Sequence, residues 1–532
     1  MSTQQNLFPN TNPEENPSPL TPHPSSSSLT SHPSPLTFQD EDSLTPHLSP
    51  LTLPLKDKDL PPIFREVVTN APQNRKIPCF IACIAPLCAL ATRVRLKYHY
   101  DTRKSALLVQ VIIEAPQSSG KSFAADIEQL LMENTLKLRD KQQRRIEQEY
   151  REKKNRRKAN EKLDEAPKTT IRVIPATISK TVLTRRADYY ERILGDTLTF
   201  WMFAEELSQV TDAGKQGYSN LRTIMRTAYD LGSQFGIDFA SDNSYSAIVD
   251  INICSMFCAT PSAVDDYMDK KAIEGGNCSR QILCQLNDDL GADGAIFQPY
   301  TEHQLYVINT TLEKMMSDTY DGEGNLLPEI NLDTSWIDST VKRWCRDRGT
   351  EALLSGRIAV DVFRKRASVS AFRVAALCYY LYLLDEGGKV RGEGTDSATG
   401  ENPSSLTHNP SSLTRAKRLS KKIYLFMADY ILNALLSRWG FRFEELNSKR
   451  EEKSNSDQGP TLYDSLSELF TRDQLKALLQ QRQKTTPARI FLCQWTKRKL
   501  IKPVGNDRYQ KIAKTDPYNS LTPHLSPLTP HP

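Results

Sequence analysis

The sequence predicts an α/β fold flanked by helical regions, and three observations support this prediction. Residues 104–318 alternate apolar, strand-like runs with amphipathic segments, which is the pattern of α/β domains. Residues 60–101 and most of 333–516 read as helical. A Gly120-Lys121-Ser122 turn joins one apolar run to a helical pattern, as a strand-to-helix connection does. We therefore expect an α/β core between an N-terminal helical segment and a C-terminal helical region.

The composition is that of a globular protein with more than one domain. The chain has 532 residues, of which 38% are hydrophobic and 25% are charged, and its formal charge of +5 does not by itself indicate nucleic acid. No secretory signal opens the sequence. The longest apolar stretch, 77–91, is shorter than the roughly 18 residues that a membrane span needs. We expect a buried helix pair there, and a cytoplasmic protein without a membrane partner.

The number and spacing of the cysteines and histidines argue against several kinds of active site. The ten cysteines are scattered and form no C-x-x-C pair, so buried reduced thiols are expected rather than zinc or redox sites. Six of the eight histidines lie in low-complexity repeats, which leaves His99 and His303. The chain therefore offers few histidines for a general base or for a multi-histidine metal site.

Repeats rich in serine, proline and threonine divide the chain. The text SLTPHLSPLT occurs at 43–52 and again at 520–529, which favours a translated nucleotide repeat over a partner-binding tail. Such segments cannot bury enough apolar area to fold, so 1–56, 388–416 and 517–532 are predicted to be disordered. The other predicted regions are a helical segment at 57–103, the core at 104–318 with a basic helical insertion at 137–163, helical regions at 319–387 and 417–457, and a winged-helix-like domain at 458–516.

The stretch VIIEAPQSSGKSFAADI, at 111–127, matches the phosphate-binding loop G-x-x-x-x-G-K-[ST], except that Ala115 replaces the first glycine. An apolar strand precedes it and a helical pattern follows, so main-chain amides and a helix N-terminus can surround phosphates. Lys121 is predicted to contact the β- and γ-phosphates of ATP, and the Ser122 hydroxyl to ligate Mg²⁺. The alternative is an ordinary strand–turn–helix junction. The predicted nucleotide contacts are Ala115, Pro116, Gln117, Ser118, Ser119, Gly120, Lys121 and Ser122.

An ATPase also needs a carboxylate at the end of a neighbouring strand. The apolar run at 197–207 ends in Glu205-Glu206, and the run at 376–388 ends in Asp385-Glu386. The second continues an apolar run that is too long for a strand and stops at Gly387, which indicates a helix. Glu205 is therefore predicted to assist Mg²⁺ and Glu206 to act as general base, the alternative being a solvated acidic helix start.

Two further residues have candidate roles at phosphates. Thr260 ends the predicted strand at 249–261 and is a candidate sensor of the γ-phosphate, unless it merely caps the turn before Pro261. Arg280 follows the flexible Gly275-Gly276 turn. An arginine here could reach the γ-phosphate of a neighbouring copy, which predicts a ring-forming homo-oligomer.

Seven stretches in this order resemble the bacterial "domain of unknown function 3987" family, whose mobile-element members look like the ATPase halves of primase-helicases. They are LPPIFREVV, EAPQSSGKS, VIPATISKTVLTRRADYY, FAEEL, CATPSAV, GGNCSRQIL and FRKRASVSAFRVAALCYYLYLL, and they span about residues 60–440. The resemblance implies a RecA-like or AAA-like P-loop NTPase core associated with DNA, and it gives Lys121, Ser122, Glu205 and Arg280 the roles named above. Ala115 and Glu205 depart from the common pattern.

Two regions are candidates for binding DNA. Residues 137–162 contain twelve basic residues against five acidic ones, which suits an arm along a phosphodiester backbone or, equally, a solvated helical insertion. Residues 461–470, 471–482 and 486–501 read as three helices, followed by a hairpin with the turn Gly505-Asn506-Asp507, which is a winged-helix pattern. Its basic residues are Arg489, Lys497, Arg498 and Lys499 on the third helix, and Arg508 and Lys511 on the wing.

Together these features predict a Mg²⁺-dependent ATP hydrolase, helicase-like, that acts on single-stranded or duplex DNA in replication or mobilisation of a mobile element. The chain before residue 104 is too short for a catalytic primase domain, so a partner primase would be a separate protein. The alternatives are a nucleotide-binding regulator that does not hydrolyse ATP and a DNA-binding scaffold with a vestigial loop. A small-molecule kinase is weaker, because no acceptor-binding signature is present.

Overall fold

The computed structural model describes residues 53–156, 165–215, 221–238, 245–286, 294–386, 410–456, 462–463, 465–481, 488–497 and 500–512. They all belong to one compact unit, Thr52–Pro532. The predicted disordered tails and most of the predicted loop at 388–416 lie outside the described residues.

The helices are α1 Pro62–Thr69, α2 Lys76–Leu90, α3 Phe123–Met132, α4 Leu138–Arg156, α5 Lys180–Leu194, α6 Ser208–Lys215, α7 Leu221–Thr227, α8 Pro261–Tyr267, α9 Lys270–Glu274, α10 Glu302–Ser317, α11 Asp338–Ser355, α12 Ile358–Asp385, α13 Pro410–Leu435, α14 Phe441–Ser456, α15 Arg472–Gln481 and α16 Ala488–Lys497. Two π-helical turns, Glu133–Lys137 and Leu436–Gly440, join α3 to α4 and α13 to α14.

The strands are β1 Val94–Lys97, β2 Lys104–Ala106, β3 Gln110–Glu114, β4 Val173–Pro175, β5 Thr199–Ala204, β6 Gln234–Ile237, β7 Ala247–Asp250, β8 Asn252–Ala259, β9 Gln281–Gln285, β10 Ile330–Asn331, β11 Leu469–Thr471, β12 Ile501–Gly505 and β13 Arg508–Lys511.

Five of these strands form a parallel sheet in the order β4-β5-β8-β3-β9. Every residue of β3 and of β8 is buried, as in parallel sheets that are covered on both faces. This burial explains why both strands read as continuous apolar runs rather than alternating ones. The predicted α/β core is confirmed at this level.

Helix α12 is the central helix of the C-terminal helical region and packs most extensively against α13. It is long and apolar enough to cross a membrane, yet 94% of its most apolar window is buried inside the protein, as in the core helix of a globular protein. The prediction that 376–388 is helical is confirmed as far as Asp385, where α12 ends.

Several predicted boundaries are wrong near the N-terminus and at the central loop. The predicted helix pair at 77–91 is the single helix α2, which contains Pro86 and is buried on all sides after Ile77. The helical prediction for 60–101 fails at β1, because β1 pairs with β2 and with the distant β10. Leu55 is buried although 1–56 was predicted to be disordered. Helix α13 begins inside the predicted loop, at Pro410, whose missing N–H costs nothing in a first turn.

The C-terminal module has its own hydrophobic core. It consists of α15, α16 and the antiparallel sheet β11-β13-β12. The predicted helix at 461–470 is wrong: its described residues form turns and β11, because Phe470 pairs with Tyr509 in the sheet. The predicted hairpin turn is confirmed, with Asn506 and Asp507 at φ of 49° and 57°, as a type I′ turn requires. The core residues are Leu466, Phe470, Leu475, Leu479, Ala488, Leu492, Trp495 and Ile501.

Candidate functional site

The loop between β3 and α3 has a shape that is fixed from inside the protein. Ser118 and Gly120 adopt left-handed backbone conformations, with φ of 61° and 73°. The Ser119 hydroxyl donates to the Pro116 carbonyl oxygen at 2.7 Å. The buried guanidinium of Arg75, just before α2, donates to the Ser119 carbonyl oxygen at 3.0 Å. These contacts hold the turn while leaving its outer side to solvent.

The outer side of the loop is open. Pro116, Gln117, Ser118 and Gly120 are exposed, and a Cβ added at Gly120 would meet no atom within 4 Å. Ala115, in contrast, is buried and donates its N–H to the Ala259 carbonyl oxygen at 3.0 Å. Ala115 is not among the residues in the left-handed region, so its own backbone does not require the glycine of the common motif.

Lys121 lies over the loop, and Ser122 lies at the start of α3. The Lys121 ammonium lies 3.3 Å from the Ala115 carbonyl oxygen and 3.4 Å from that of Pro116, so it folds over the loop. Ser122 is exposed at the start of α3, and its side chain makes no capping hydrogen bond. Its hydroxyl is therefore available as a ligand, and the helix N-terminus adds a favourable field for an anion. These residues fit a Mg²⁺-bound triphosphate.

Strand β8 aligns the loop with the acidic segment. The Cys258 carbonyl oxygen accepts the Leu207 N–H at 2.9 Å, while the next carbonyl, that of Ala259, accepts the Ala115 N–H. Glu206 and the first residue of the loop therefore lie at about the same height along the sheet, on opposite sides of β8. Because neighbouring strands lie about 4.8 Å apart, the two segments are separated by about 10 Å.

The acidic segment was expected on a strand beside that of the loop, and the structure places β8 between them. Glu205 and Glu206 are exposed between β5 and α6, which begins at Ser208. The Ser208 hydroxyl donates to the Glu206 carboxylate at 3.3 Å. Both carboxylates are thus accessible at the carboxyl edge of the sheet, where the loop also lies.

The buried thiol of Cys258, on β8, is affected by both charged groups. Burial raises its pKa to about 12, the Lys121 ammonium lowers it and the Glu205 carboxylate raises it. A single side chain of β8 is therefore within electrostatic reach of both residues. Lys121 and Glu205 face the same edge of the sheet from either side of β8.

Thr260 follows β8 at this edge and has a structural task there. Its hydroxyl oxygen accepts the Ala263 N–H at 3.3 Å, and it lies 3.1 Å from the Ser262 hydroxyl. It therefore caps α8, which was the alternative to sensing a phosphate. The sensor role stays a prediction.

Arg280 lies at the opposite edge of the sheet. It directly precedes β9, whose first residue pairs with Gln110 and whose last pairs with Glu114. The length of the strands separates it from the loop of its own chain by about 17 Å. Its guanidinium donates to the Gly276 carbonyl oxygen at 2.9 Å. Arg280 therefore does not serve its own loop, and its role toward a neighbouring copy stays a prediction.

One charged cluster beside the loop was missed from the sequence. The Arg438 Nε lies 3.0 and 3.2 Å from the two carboxylate oxygens of Glu114, the residue before Ala115. A second Arg438 nitrogen donates to the Asp265 carboxylate at 2.9 Å and to the Pro261 carbonyl oxygen at 3.2 Å. Burial raises the pKa of Glu114, against the effects of Arg438 and Gln285. A carboxylate at the end of a buried strand was the available signal, but its partner lies 324 positions away.

The two predicted DNA-binding regions differ in how many of their basic side chains form ion pairs or hydrogen bonds within the protein. On α4, Arg145, Arg151 and Arg156 pair with glutamates one turn away, and Arg144 donates to the Val173 carbonyl oxygen. The predicted insertion is thus a helix with internal ion pairs as far as Arg156, and 157–163 lies outside the described residues.

In the C-terminal module, Arg489 and Arg508 are exposed. Lys511 instead donates to the Leu466 carbonyl oxygen at 2.6 Å and lies 4.7 Å from the centre of the Tyr463 ring, so it serves packing within the module. Arg498, Lys499 and the side chain of Lys497 lie outside the described part of the chain.

The cysteines are free thiols, nine of them buried and Cys493 exposed, as predicted. Within the ranges described above, no group of three or more histidine, cysteine, aspartate or glutamate side chains is placed to hold a metal ion. No protein-family model matches the chain, and no curated protein is significantly similar to it.

Proposed function

We propose that the chain is a Mg²⁺-dependent ATPase that acts on DNA, of the kind found in primase-helicases of mobile elements. The observation that carries the proposal is the common carboxyl edge of the sheet, where successive carbonyl oxygens of β8 accept the N–H of Leu207, next to Glu206, and that of Ala115 in the loop. A lysine on a loop before a helix and carboxylates at matching height supply what phosphoryl transfer to water needs.

A P-loop core of the RecA-like or AAA-like kind is the fold that we propose for 104–318. It is supported by the parallel sheet, by the direct passage from β3 through an open loop into α3, and by the left-handed conformations of Ser118 and Gly120. Successive main-chain amides in such a turn point toward one centre and favour an anion. For 458–516 we propose a winged-helix-like domain, supported by two helices and a three-stranded antiparallel sheet.

The roles of the residues follow from their positions. Main-chain amides of 117–121 and the N-terminus of α3 would hold the phosphates, and Lys121 would leave the carbonyls of Ala115 and Pro116 to bind them. Ser122 and Glu205 would hold Mg²⁺, which neutralises charge on the phosphates when bound. Glu206 would orient the attacking water and accept its proton, since its carboxylate is exposed beside the loop.

Steady-state ATP hydrolysis, with and without single-stranded and duplex DNA, tests this proposal. Lys121→Ala should lose nucleotide affinity, because the charge that compensates the phosphates is gone. Glu206→Gln should bind ATP but turn it over at least about 100-fold more slowly, the scale of a lost general base. The exposed residues Lys342 and Glu302 supply matched controls, Lys342→Ala and Glu302→Gln. Equal hydrolysis by all five proteins contradicts an ATPase at this site.

A nucleotide-binding regulator or DNA-binding scaffold without significant hydrolysis is the second candidate. Two observations favour it: the Thr260 hydroxyl caps α8, and Ser208 occupies one oxygen of Glu206. ATP binding that depends on Lys121, with turnover that DNA does not stimulate and that Glu206→Gln does not change, would select the regulator. A wild-type chain that does not bind ATP would instead indicate the DNA-binding scaffold.

A further inference from the structure

Four arginines gather at the amino-terminal edge of the central sheet, away from the candidate nucleotide loop. The guanidinium carbons of Arg280, Arg366 and Arg373 lie 5.7, 5.7 and 4.3 Å from the centre of the Tyr229 ring. Arg366 and Arg373 are seven residues apart on α12 and so share one face of that helix. Arg226, on α7, donates to the Gly275 carbonyl oxygen, beside the carbonyl that Arg280 uses.

The positive charge of this arginine cluster is not balanced by the protein. Asp230 is the carboxylate that pairs with the cluster among the described residues, at 3.4 Å from both Arg366 and Arg373. The Nε atoms of Arg280 and Arg373 are buried and have no hydrogen-bond partner within the described part of the chain. The Arg373 side chain is only 2% exposed. A terminal nitrogen of Arg373 already donates to the Leu108 and Tyr229 carbonyl oxygens, at 2.7 and 2.9 Å, and holds that side chain in place. Buried donors without acceptors are costly, so the two free Nε atoms and the excess of guanidinium groups over carboxylates favour an anion beside Arg280 and Arg366.

The Gly275-Gly276 turn is what allows the arginines to approach. A Cβ at Gly275 would lie 2.9 Å from an Arg226 nitrogen, closer than side chains approach. Gly276 has a φ of +77°, and a Cβ there would lie 3.2 Å from an Arg280 nitrogen. The lack of side chains at this turn therefore leaves space beside the guanidinium groups of Arg226 and Arg280.

We propose that Arg226, Arg280, Arg366 and Arg373 form a binding site for a phosphoryl group. Guanidinium groups match phosphate oxygens through paired N–H donors, and four of them against one carboxylate suit a multiply charged oxyanion better than a carboxylate. The phosphoryl group comes from the backbone of a DNA strand or from the phosphate tail of a nucleotide. The site lies at the edge opposite the nucleotide loop of its own chain, so it is distinct from that loop, and binding there does not require hydrolysis.

The test uses the full chain carrying Lys121→Ala, so that the loop does not contribute. Calorimetry measures the Kd for pyrophosphate, and fluorescence anisotropy measures the Kd for a labelled single-stranded oligonucleotide. Arg280→Gln and Arg366→Gln are added separately, because these side chains are less buried than Arg373 and the fold should tolerate their loss. Arg343→Gln, at an exposed position of α11, is the matched control.

Each cluster variant should raise the Kd for at least one probe about tenfold or more, as the loss of a charge-assisted hydrogen bond does, while the control stays within about twofold. Arg280→Lys should recover part of the affinity, since it keeps the charge but not the fork. A dependence seen with pyrophosphate assigns the site to a nucleotide tail, and one seen with the oligonucleotide alone assigns it to a DNA backbone.

Failure of both probes to bind the Lys121→Ala protein overturns the proposal, and so does binding that Arg280→Gln and Arg366→Gln leave at the level of Arg343→Gln. Thermal unfolding checks that each variant is folded, and pyrophosphate should raise the unfolding midpoint only where the cluster is intact. ATP hydrolysis by the wild-type chain is measured in parallel. Absent hydrolysis with retained anion binding contradicts the ATPase alone, whereas the reverse result contradicts the arginine site alone.

Discussion

Glu114 and Arg438 connect the start of the candidate loop to the helical region. The Glu114 side chain is 5% exposed and that of Arg438 is 19% exposed, so both charges are largely out of water. In such a pair the attraction roughly offsets the cost of dehydration, but removal of one partner leaves the other charge stranded. The pair therefore fixes the end of β3 relative to α13 and α8 more than it adds net stability.

Arg438→Gln should lower the free energy of unfolding by about 3–5 kcal/mol, because it leaves the Glu114 carboxylate buried without its cation. Urea denaturation measures the change. The double variant Glu114→Gln/Arg438→Gln should lose less than the sum of the single losses. As a control, Arg145→Gln removes an exposed pair with Glu149 and should cost at most about 1 kcal/mol. Additive losses at 114 and 438 would show that the two side chains do not interact.

The raised pKa of Glu114 gives a pH-dependent contribution of known sign. Its ordinary value is 4.5, and the native state holds the proton to higher pH than the unfolded state because of burial. The stability that Glu114 contributes is therefore complete below pH 4.5 and declines as the pH rises through its raised pKa. The free energy of unfolding of wild type relative to Glu114→Gln should fall over that interval in urea titrations. A difference that is constant with pH would place an unshifted carboxylate at 114.

At the scale of elements, α4 carries two kinds of basic residue: arginines that pair with glutamates, and lysines whose side chains are exposed to solvent. Its three glutamate-paired arginines are held along the helix, whereas Lys141, Lys153 and Lys154 are exposed and form no ion pair with another described residue. If the helix follows a DNA backbone, as proposed, these lysines are the groups that release counterions from it.

The triple variant Lys141→Gln/Lys153→Gln/Lys154→Gln should reduce the slope of log Kd against log salt by about 2 for single-stranded DNA, at about 0.7 for each phosphate contact. Anisotropy titrations between low and physiological salt measure the slope. Replacement of Arg145, Arg151 and Arg156 by glutamine changes the net charge equally and should have the smaller effect. An unchanged slope in the lysine variant would mean that α4 is a solvated insertion.

The elements that the sequence predicted well are those whose signal is local. The loop before α3 follows from a motif at fixed spacing, and the hairpin turn from Gly505-Asn506-Asp507. The choice of Glu205-Glu206 over Asp385-Glu386 followed from two local signals: a run as long as α12 cannot be one strand, and Gly387 after it indicates the end of a helix. In contrast, β1 and β11 exist because of partners far along the chain, and the Glu114–Arg438 pair and the arginine cluster join residues from distant elements. No spacing in the sequence could indicate them.

At the scale of the whole molecule, the candidate loop and Arg280 lie at opposite edges of one sheet. A head-to-tail contact between copies is the arrangement that brings unlike edges together, and repeated around an axis it closes into a ring. An arginine supplied in this way would act only in the assembled protein.

Mixing Lys121→Ala protein with Arg280→Ala protein tests this arrangement. Each alone should hydrolyse ATP poorly. At equal amounts about a quarter of the interfaces would combine an intact loop with an intact arginine, so hydrolysis should recover to about that fraction of wild type. The recovery is measured against total protein concentration, with Lys121→Ala/Arg280→Ala as the protein that cannot complement. Hydrolysis in the mixture that equals the average of the two inactive proteins would exclude supply from a neighbour.

Helix α12 also affects the order in which parts of the protein can fold during synthesis. Its Arg373 satisfies carbonyl groups of Leu108 and Tyr229, which leave the ribosome long before it does. Until α12 emerges, the first three hundred residues expose the apolar surface that it will cover, and they hold main-chain groups that await a donor. We therefore expect the central sheet to complete its packing only late in synthesis, with apolar surface exposed until then.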